Sequence, residues 1–160
     1  GVATGLAFDR DGFLYVGDRS GTIFKIAQDR QVFVFATLEP SVSAYHLAFN
    51  DNGTLLVSGP TTSANESIHA IEPNGEISSF YTGLGRPQGM ALDADGNLYV
   101  AASLHGRRGV VKINPKREAS LVISGSGIVG LAFLPESDAV VATRDTVYHV
   151  GLDIIGRLLH

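Results

Sequence analysis

The sequence predicts an all-β protein made of four repeats of one four-stranded antiparallel unit, and three observations predict it. The first is a string that recurs along the chain: Gly5-Leu6-Ala7-Phe8-Asp9, His46-Leu47-Ala48-Phe49-Asn50, Gly89-Met90-Ala91-Leu92-Asp93 and Gly130-Leu131-Ala132-Phe133-Leu134. Its leading apolar residues, 6, 47, 90 and 131, are 41, 43 and 41 positions apart, a period that marks a repeat architecture. The second is the turn that follows the string: Asp9-Arg10-Asp11-Gly12, Asn50-Asp51-Asn52-Gly53 and Asp93-Ala94-Asp95-Gly96, with a degenerate Leu134-Pro135-Glu136-Ser137. Asp-Gly and Asn-Gly between apolar runs signal hairpins because these residues tolerate positive φ. The third is the alternation of large residue, Ala, large residue inside the string. Period-2 geometry sends the large side chains to one face and the alanine to the other. Apolar residues on both faces predict a strand buried on both sides.

The elements follow in order. The first strand of each unit is the recurring string. The second is Phe13–Val16, Leu55–Val57, Asn97–Val100 and Ala139–Ala142. The third is Thr22–Ile26, Ser67–Ile71, Gly109–Ile113 and Thr146–Val150. The fourth is more polar: Gln31–Thr37, Glu76–Thr82, Ala119–Ser124 and Ile155–Leu159. Turns such as Glu72-Pro73-Asn74-Gly75 separate third from fourth strands. Four short strands per repeat make a β-propeller blade, with the first strand innermost. The blades span about residues 4–38, 44–82, 88–124 and 128–159 of a single domain over 1–160. Four units could close as a small four-bladed propeller or form part of a larger ring; the chain opens directly on an inner strand, which favours an arc of a larger ring. An open arc exposes blade faces and predicts self-association.

Composition sets outer limits. Hydrophobic residues are 44% and charged residues 18%, so the chain has the makings of a packed core. A net charge of −4 argues against a nucleic-acid surface. There is no cysteine, which removes disulfides and thiolate metal sites. No apolar run is long enough to span a bilayer. The compartment stays open, a soluble secreted or periplasmic setting being compatible.

The stretch Gly85-Arg86-Pro87-Gln88-Gly89-Met90-Ala91-Leu92-Asp93-Ala94-Asp95-Gly96-Asn97-Leu98-Tyr99-Val100-Ala101 resembles the NHL repeat. It also resembles the six-bladed propellers of the gluconolactonase and regucalcin (senescence-marker) group. The likeness extends over all four units. It implies either a binding scaffold or a metal-dependent lactone hydrolase. In the hydrolase branch the resemblance implies a divalent cation over the central channel. Its ligands would come from Asp or Asn two residues before the large apolar residue of inner strands. The matching positions are Thr4, Tyr45, Gln88 and Val129, none of them Asp, Asn or Glu. A hard cation needs several oxygen ligands with anionic charge among them. The four units therefore predict no cofactor and no metal, and a divalent cation only with additional blades.

Chain direction places the segments entering inner strands, and the loops between second and third strands, on one face, the upper face. The Asp-Gly turns share the lower face. Upper-face loops differ in length, with Gly17–Gly21 short and Gly59–Glu66 and Ser103–Arg108 longer. Loops on one side of a rigid scaffold are where binding residues gather. The candidates there are Arg19, Tyr45, His46, Arg86, Gln88, His105, Arg107 and Arg108, together with Asp18 and Arg144. Arg86, Arg107 and Arg108 would hold an anion if they converged. The reading is a module that binds a small molecule, a peptide or a protein partner on the upper face. The alternatives are the lactonase-type hydrolase and a structural segment with no site. No Ser or Asp at triad spacing accompanies His46, which is expected in the channel wall. The Asp9/Asp11 and Asp93/Asp95 pairs are expected to be turn residues rather than a calcium loop.

Overall fold

The structure, a computed structural model, describes residues 1–59, 61 and 65–157. Fifteen strands are found among them. The first sheet is β1 (Ala3–Phe8), β2 (Leu14–Asp18), β3 (Thr22–Ile26) and β4 (Val32–Thr37) in chain order. The second is β5 (His46–Phe49), β6 (Leu55–Ser58), β7 (Glu66–Ile71) and β8 (Ile77–Gly85). The third is β9 (Met90–Leu92), β10 (Leu98–Leu104), β11 (Arg107–Ile113) and β12 (Ala119–Ser124). The fourth is β13 (Gly130–Phe133), β14 (Asp138–Ala142) and β15 (Val147–Gly151). All pairings are antiparallel between neighbours in sequence, with one addition. The end of β8 also pairs with the end of β10 (Leu84↔Leu104, Gly85↔Ser103), which stitches the second and third blades together at their upper edge.

The predicted turns form as their chemistry requires. Oδ1 of Asp9 accepts the N–H groups of Asp11 (3.0 Å) and Phe13 (2.9 Å). Asn50 does the same for Asn52 and Thr54, and Asp93 for Asp95 and Asn97. In each case the glycine follows at positive φ, between 79° and 82°. These are Asx-stapled hairpin turns.

Blade packing follows the large–small alternation. Leu47 and Phe49 of β5 pack with Tyr15, Ile23 and Ala36 of the first blade. Met90 and Leu92 of β9 join Ala48, Leu56 and Ile68 of the second. Leu131 and Phe133 of β13 join Tyr99, Ala101 and Val110 of the third. Ring contacts repeat with the period. Phe49 meets Tyr15 edge-on at 4.9 Å, and Phe133 meets Tyr99 edge-on at 5.1 Å. Glycines on the small face allow this approach. A Cβ on Gly5 would lie 2.4 Å from the Tyr45 carbonyl oxygen, and one on Gly89 would lie 2.7 Å from the Gly130 Cα.

The fourth sheet departs from expectation. Among the described residues it has three strands, and the expected outer strand Ile155–Leu159 does not form over its described part, Ile155–Arg157. Positions 158 and 159 lie outside the described residues. The chain turns at Asp153, whose φ is 52°, and Ile154, half-buried, packs against the core between the third and fourth blades. The segment then passes under the lower face. Gly156 bridges Asp93, Arg157 donates its N–H to the Leu92 carbonyl, and its guanidinium pairs with Asp51. Packing Ile154 and pairing Arg157 replaces an outer strand that would have stood largely in water.

Candidate functional site

The upper face between the second, third and fourth blades is organised around Arg108, at the start of β11. Its guanidinium donates to the carbonyls of Arg86 (2.8 Å), Gly85 (3.3 Å) and Ile128 (Nε, 3.0 Å) and to Oε1 of Gln88 (2.6 Å). Gly85–Gln88 leads into β9 and Ile128 precedes β13, so one planar, five-donor group fastens two chain crossings. The same region holds a buried hydroxyl, Ser58 Oγ, which donates to the Gln88 carbonyl at 2.8 Å. Burial and the nearby Arg86 and Arg144 guanidinia lower the pKa of Arg108. Arg86 and Arg144 thus lie close enough to Arg108 for their charges to disfavour its own. Arg86 and Arg144 are exposed, and the Arg86 guanidinium also acts electrostatically on the buried carboxylate of Glu66.

The other candidates are distributed as follows. Arg107 precedes Arg108 on β11, so its side chain takes the opposite side of the strand and stands exposed, away from the cluster. His105 is exposed at the tip of a two-residue turn with Gly106, both at positive φ (48° and 77°). The expected longer loop Ser103–Arg108 is thus a tight hairpin, because β10 and β11 pair out to Leu104↔Arg107. Arg19 is exposed on the first blade's turn, held by its backbone to Val2 and Ser41. Asp18 caps that turn by accepting the Ser20 N–H at 2.8 Å, the bonds to Ser20 lowering its pKa. Tyr45 was expected at the rim and instead lies in the core, 2% exposed, its hydroxyl donating to the Glu39 carbonyl. Two glycines admit its ring: a Cβ on Gly59 would sit 2.3 Å from it, and one on Gly17 2.8 Å from the Tyr45 Cβ.

The four positions matched to the hydrolase ligands are occupied by other work. The Thr4 hydroxyl donates to Gly17 and accepts from the Tyr45 N–H. Tyr45 is in the core, the Gln88 amide oxygen accepts from Arg108, and Val129 is apolar.

His46 begins β5 opposite Ser58, at the place where the other three repeats carry Gly5, Gly89 and Gly130. Burial lowers its pKa and favours the neutral imidazole. Burial lowers that of His69 as well, against an opposing pull from the Glu39 carboxylate. Glu66, at the start of β7, is a residue the sequence reading passed over. It is buried, Oε1 accepts the Thr61 N–H at 2.7 Å, and Oε2 has no hydrogen-bond partner among the described residues. Desolvation raises its pKa, partly offset by that bond and by the nearby Arg86 N–H and guanidinium.

These shifts make stability pH-dependent in a stated direction. Unfolded histidines gain protons below about pH 6.5 while His46 and His69 resist, so stability falls as pH drops through that range. Glu66 acts in the opposite sense: its raised pKa lets the folded form take up a proton before the unfolded chain does as pH falls towards the ordinary carboxylate range. Thermal melts between about pH 7.5 and about pH 5.5 should show a fall in Tm. His46→Gln and His69→Gln should flatten that fall.

No family model matches the chain, and no curated protein matches it. Solved structures do. A catalytically inactive virginiamycin B lyase from Staphylococcus aureus with quinupristin superimposes with a TM-score of 0.69 at 16% identity, over 96% of this chain and 54% of the lyase. Regucalcin from Agrobacterium tumefaciens, a calcium-binding protein, gives 0.68 at 15% identity, over 98% of this chain and 59% of its own. A structure described as a putative gluconolactonase gives 0.67 at 16% identity, over 99% and 63%. The chain thus spans between 54% and 63% of the length of these proteins. At such identities the likeness speaks for architecture alone. Strand order, large-on-small blade packing and these superpositions together show that the chain has the β-propeller fold.

Proposed function

We propose that this propeller module binds an anionic ligand, a small molecule or an acidic peptide segment, on its upper face at the junction of the second, third and fourth blades. The observation that carries the reading is the Arg108 guanidinium fixed at the upper face by the carbonyls of Gly85, Arg86 and Ile128 and by Gln88, with the charges of Arg86 and Arg144 near enough to act on it. Like charges gathered in a partly desolvated place raise each other's free energy until an anion joins them. The roles divide by engagement. Arg108, held by four acceptors, fixes the platform, while Arg86 and Arg144 supply donors to the ligand. His46, neutral in the channel wall, adds a donor or acceptor for hydroxyl groups.

The test is calorimetric titration with citrate and with inorganic phosphate as probes. Arg86→Gln with Arg144→Gln should weaken citrate binding by about tenfold to a hundredfold, each lost charge-assisted bond accounting for roughly tenfold. Raised salt should weaken binding to the parent protein and leave the double variant little changed. Equal citrate affinity in the two proteins would contradict the reading. Lactone hydrolysis dependent on an added divalent cation would instead favour the hydrolase alternative.

A further inference from the structure

A cavity of about 690 Å³ lies between the first and second blades, walled on one side by the segment that links β4 to β5 and on the other by β7. Leu38, Glu39, Tyr45, Glu66, His69 and Ile77 are among the residues that line it. The arginines of the anion site do not. A volume of this order, with apolar walls and a few ionisable side chains, is the usual make-up of a small-molecule site.

The ionisable groups favour one kind of ligand. Among the described residues the lining holds two carboxylates, Glu39 and Glu66, and no lysine or arginine. Glu39 is exposed and acts electrostatically on His69 and on the Tyr45 hydroxyl, so its carboxylate lies near both. Burial keeps His69 towards its neutral form, so it brings no cation of its own. Glu66 is 5% exposed. The N–H that bonds its Oε1 belongs to Thr61, itself a lining residue, which holds the carboxylate at the cavity wall. Its Oε2 is buried with no hydrogen-bond partner among the described residues. The one cation that acts on Glu66 is the Arg86 guanidinium, from beyond the end of β8. A buried acceptor without a partner is costly, and a donor brought into the cavity removes that cost.

We propose that this cavity binds a small organic cation, an ammonium group on an apolar body, with the ammonium held by the carboxylates of Glu39 and Glu66 and the apolar part against Leu38 and Ile77. Charge-assisted bonds from an ammonium to carboxylates are among the stronger hydrogen bonds a site can make. A bare metal ion fits less well, because no group of three His, Asp or Glu side chains stands close enough to hold one among the described residues. The site is independent of the anion site.

Benzylamine, charged at neutral pH, and benzyl alcohol, its neutral counterpart, are the probes. Calorimetric titration of the whole chain should show benzylamine binding at least about tenfold more tightly than benzyl alcohol. Glu39→Gln and Glu66→Gln should each weaken benzylamine binding by about tenfold and leave benzyl alcohol binding unchanged. Glu39 is exposed, so its variant keeps the fold and decides the matter even if Glu66→Gln melts early. Arg86→Gln with Arg144→Gln should bind benzylamine at least as tightly as the parent, and Glu39→Gln should bind citrate as the parent does, so the two sites fail separately. Equal affinity for the two probes, parent-like benzylamine affinity in Glu39→Gln, or no benzylamine binding at millimolar concentration overturns the proposal.

Discussion

Alanine at Gly5 or at Gly89 should destabilise the fold by about 2–4 kcal/mol, whereas alanine at Gly130 should cost less than about 0.5 kcal/mol. All three glycines hold the same place in the repeat, so propensity predicts the same small effect for each. Packing separates them. At Gly5 and Gly89 the methyl group meets backbone atoms of the next inner strand, at 2.4 Å and 2.7 Å, and backbone cannot swing aside as a flexible side chain can. The blades would have to move apart, opening the contacts of Leu47 in one case and Leu131 in the other. At Gly130 nothing among the described residues stands within 4 Å. Urea denaturation at dilute protein, below the range of any association, checks the three variants together. Equal effects at all three positions would mean that the blades are not spaced as described.

Replacing Asp93 by alanine should cost about 3 kcal/mol, the larger effect among the three equivalent turns. Asp93 is 4% exposed, and its carboxylate serves four donors: the N–H groups of Asp95 and Asn97, the Asn97 amide at 2.7 Å and the Tyr99 hydroxyl at 3.1 Å. Truncation leaves the Asn97 and Tyr99 donors buried and unpaired, which costs more than the bonds themselves. Burial and the Asp93 carboxylate both hold the Tyr99 hydroxyl in its neutral form. Asp9 staples the first turn with two N–H bonds, and its side chain is 16% exposed, so Asp9→Ala should cost about half as much. Chemical denaturation of the two variants gives the ratio, and Asp93→Asn, which keeps one acceptor oxygen, should fall between alanine and the parent.

Much of this was legible in the sequence because it depends on short-range rules. Period 2 placed Leu47 and Phe49 on one side of β5 and Ala48 on the other, and the cores follow that division. Asx chemistry identified the turns. What stayed hidden depends on where side chains end. Tyr45 and Arg86 both precede inner strands, yet one ring lies in the core beside Gly17 and Gly59 while the other side chain stays in water. Arg107 and Arg108 are equal in composition, and only the pairing out to Leu104↔Arg107 shows which of them turns inward. Glu66 had a readable signal. Aligning the third strands puts Gly21, Glu66, Arg108 and Asp145 at one position, charged in three repeats of four, at the upper edge of the blades. The outer strand of the fourth unit was misplaced because polar outer strands carry little pattern, and the packing of Ile154 with the Arg157–Asp51 pair prevails.

The most direct test of the functional account is a backbone amide NMR titration of the parent protein with citrate. The account predicts shift changes confined to the upper face at Arg86, Gln88, Arg108, Ile128 and Arg144, all lost in the Arg86→Gln, Arg144→Gln variant. Changes centred on the lower-face turns around Asp51 and Asp95, or none at saturating citrate, would contradict it.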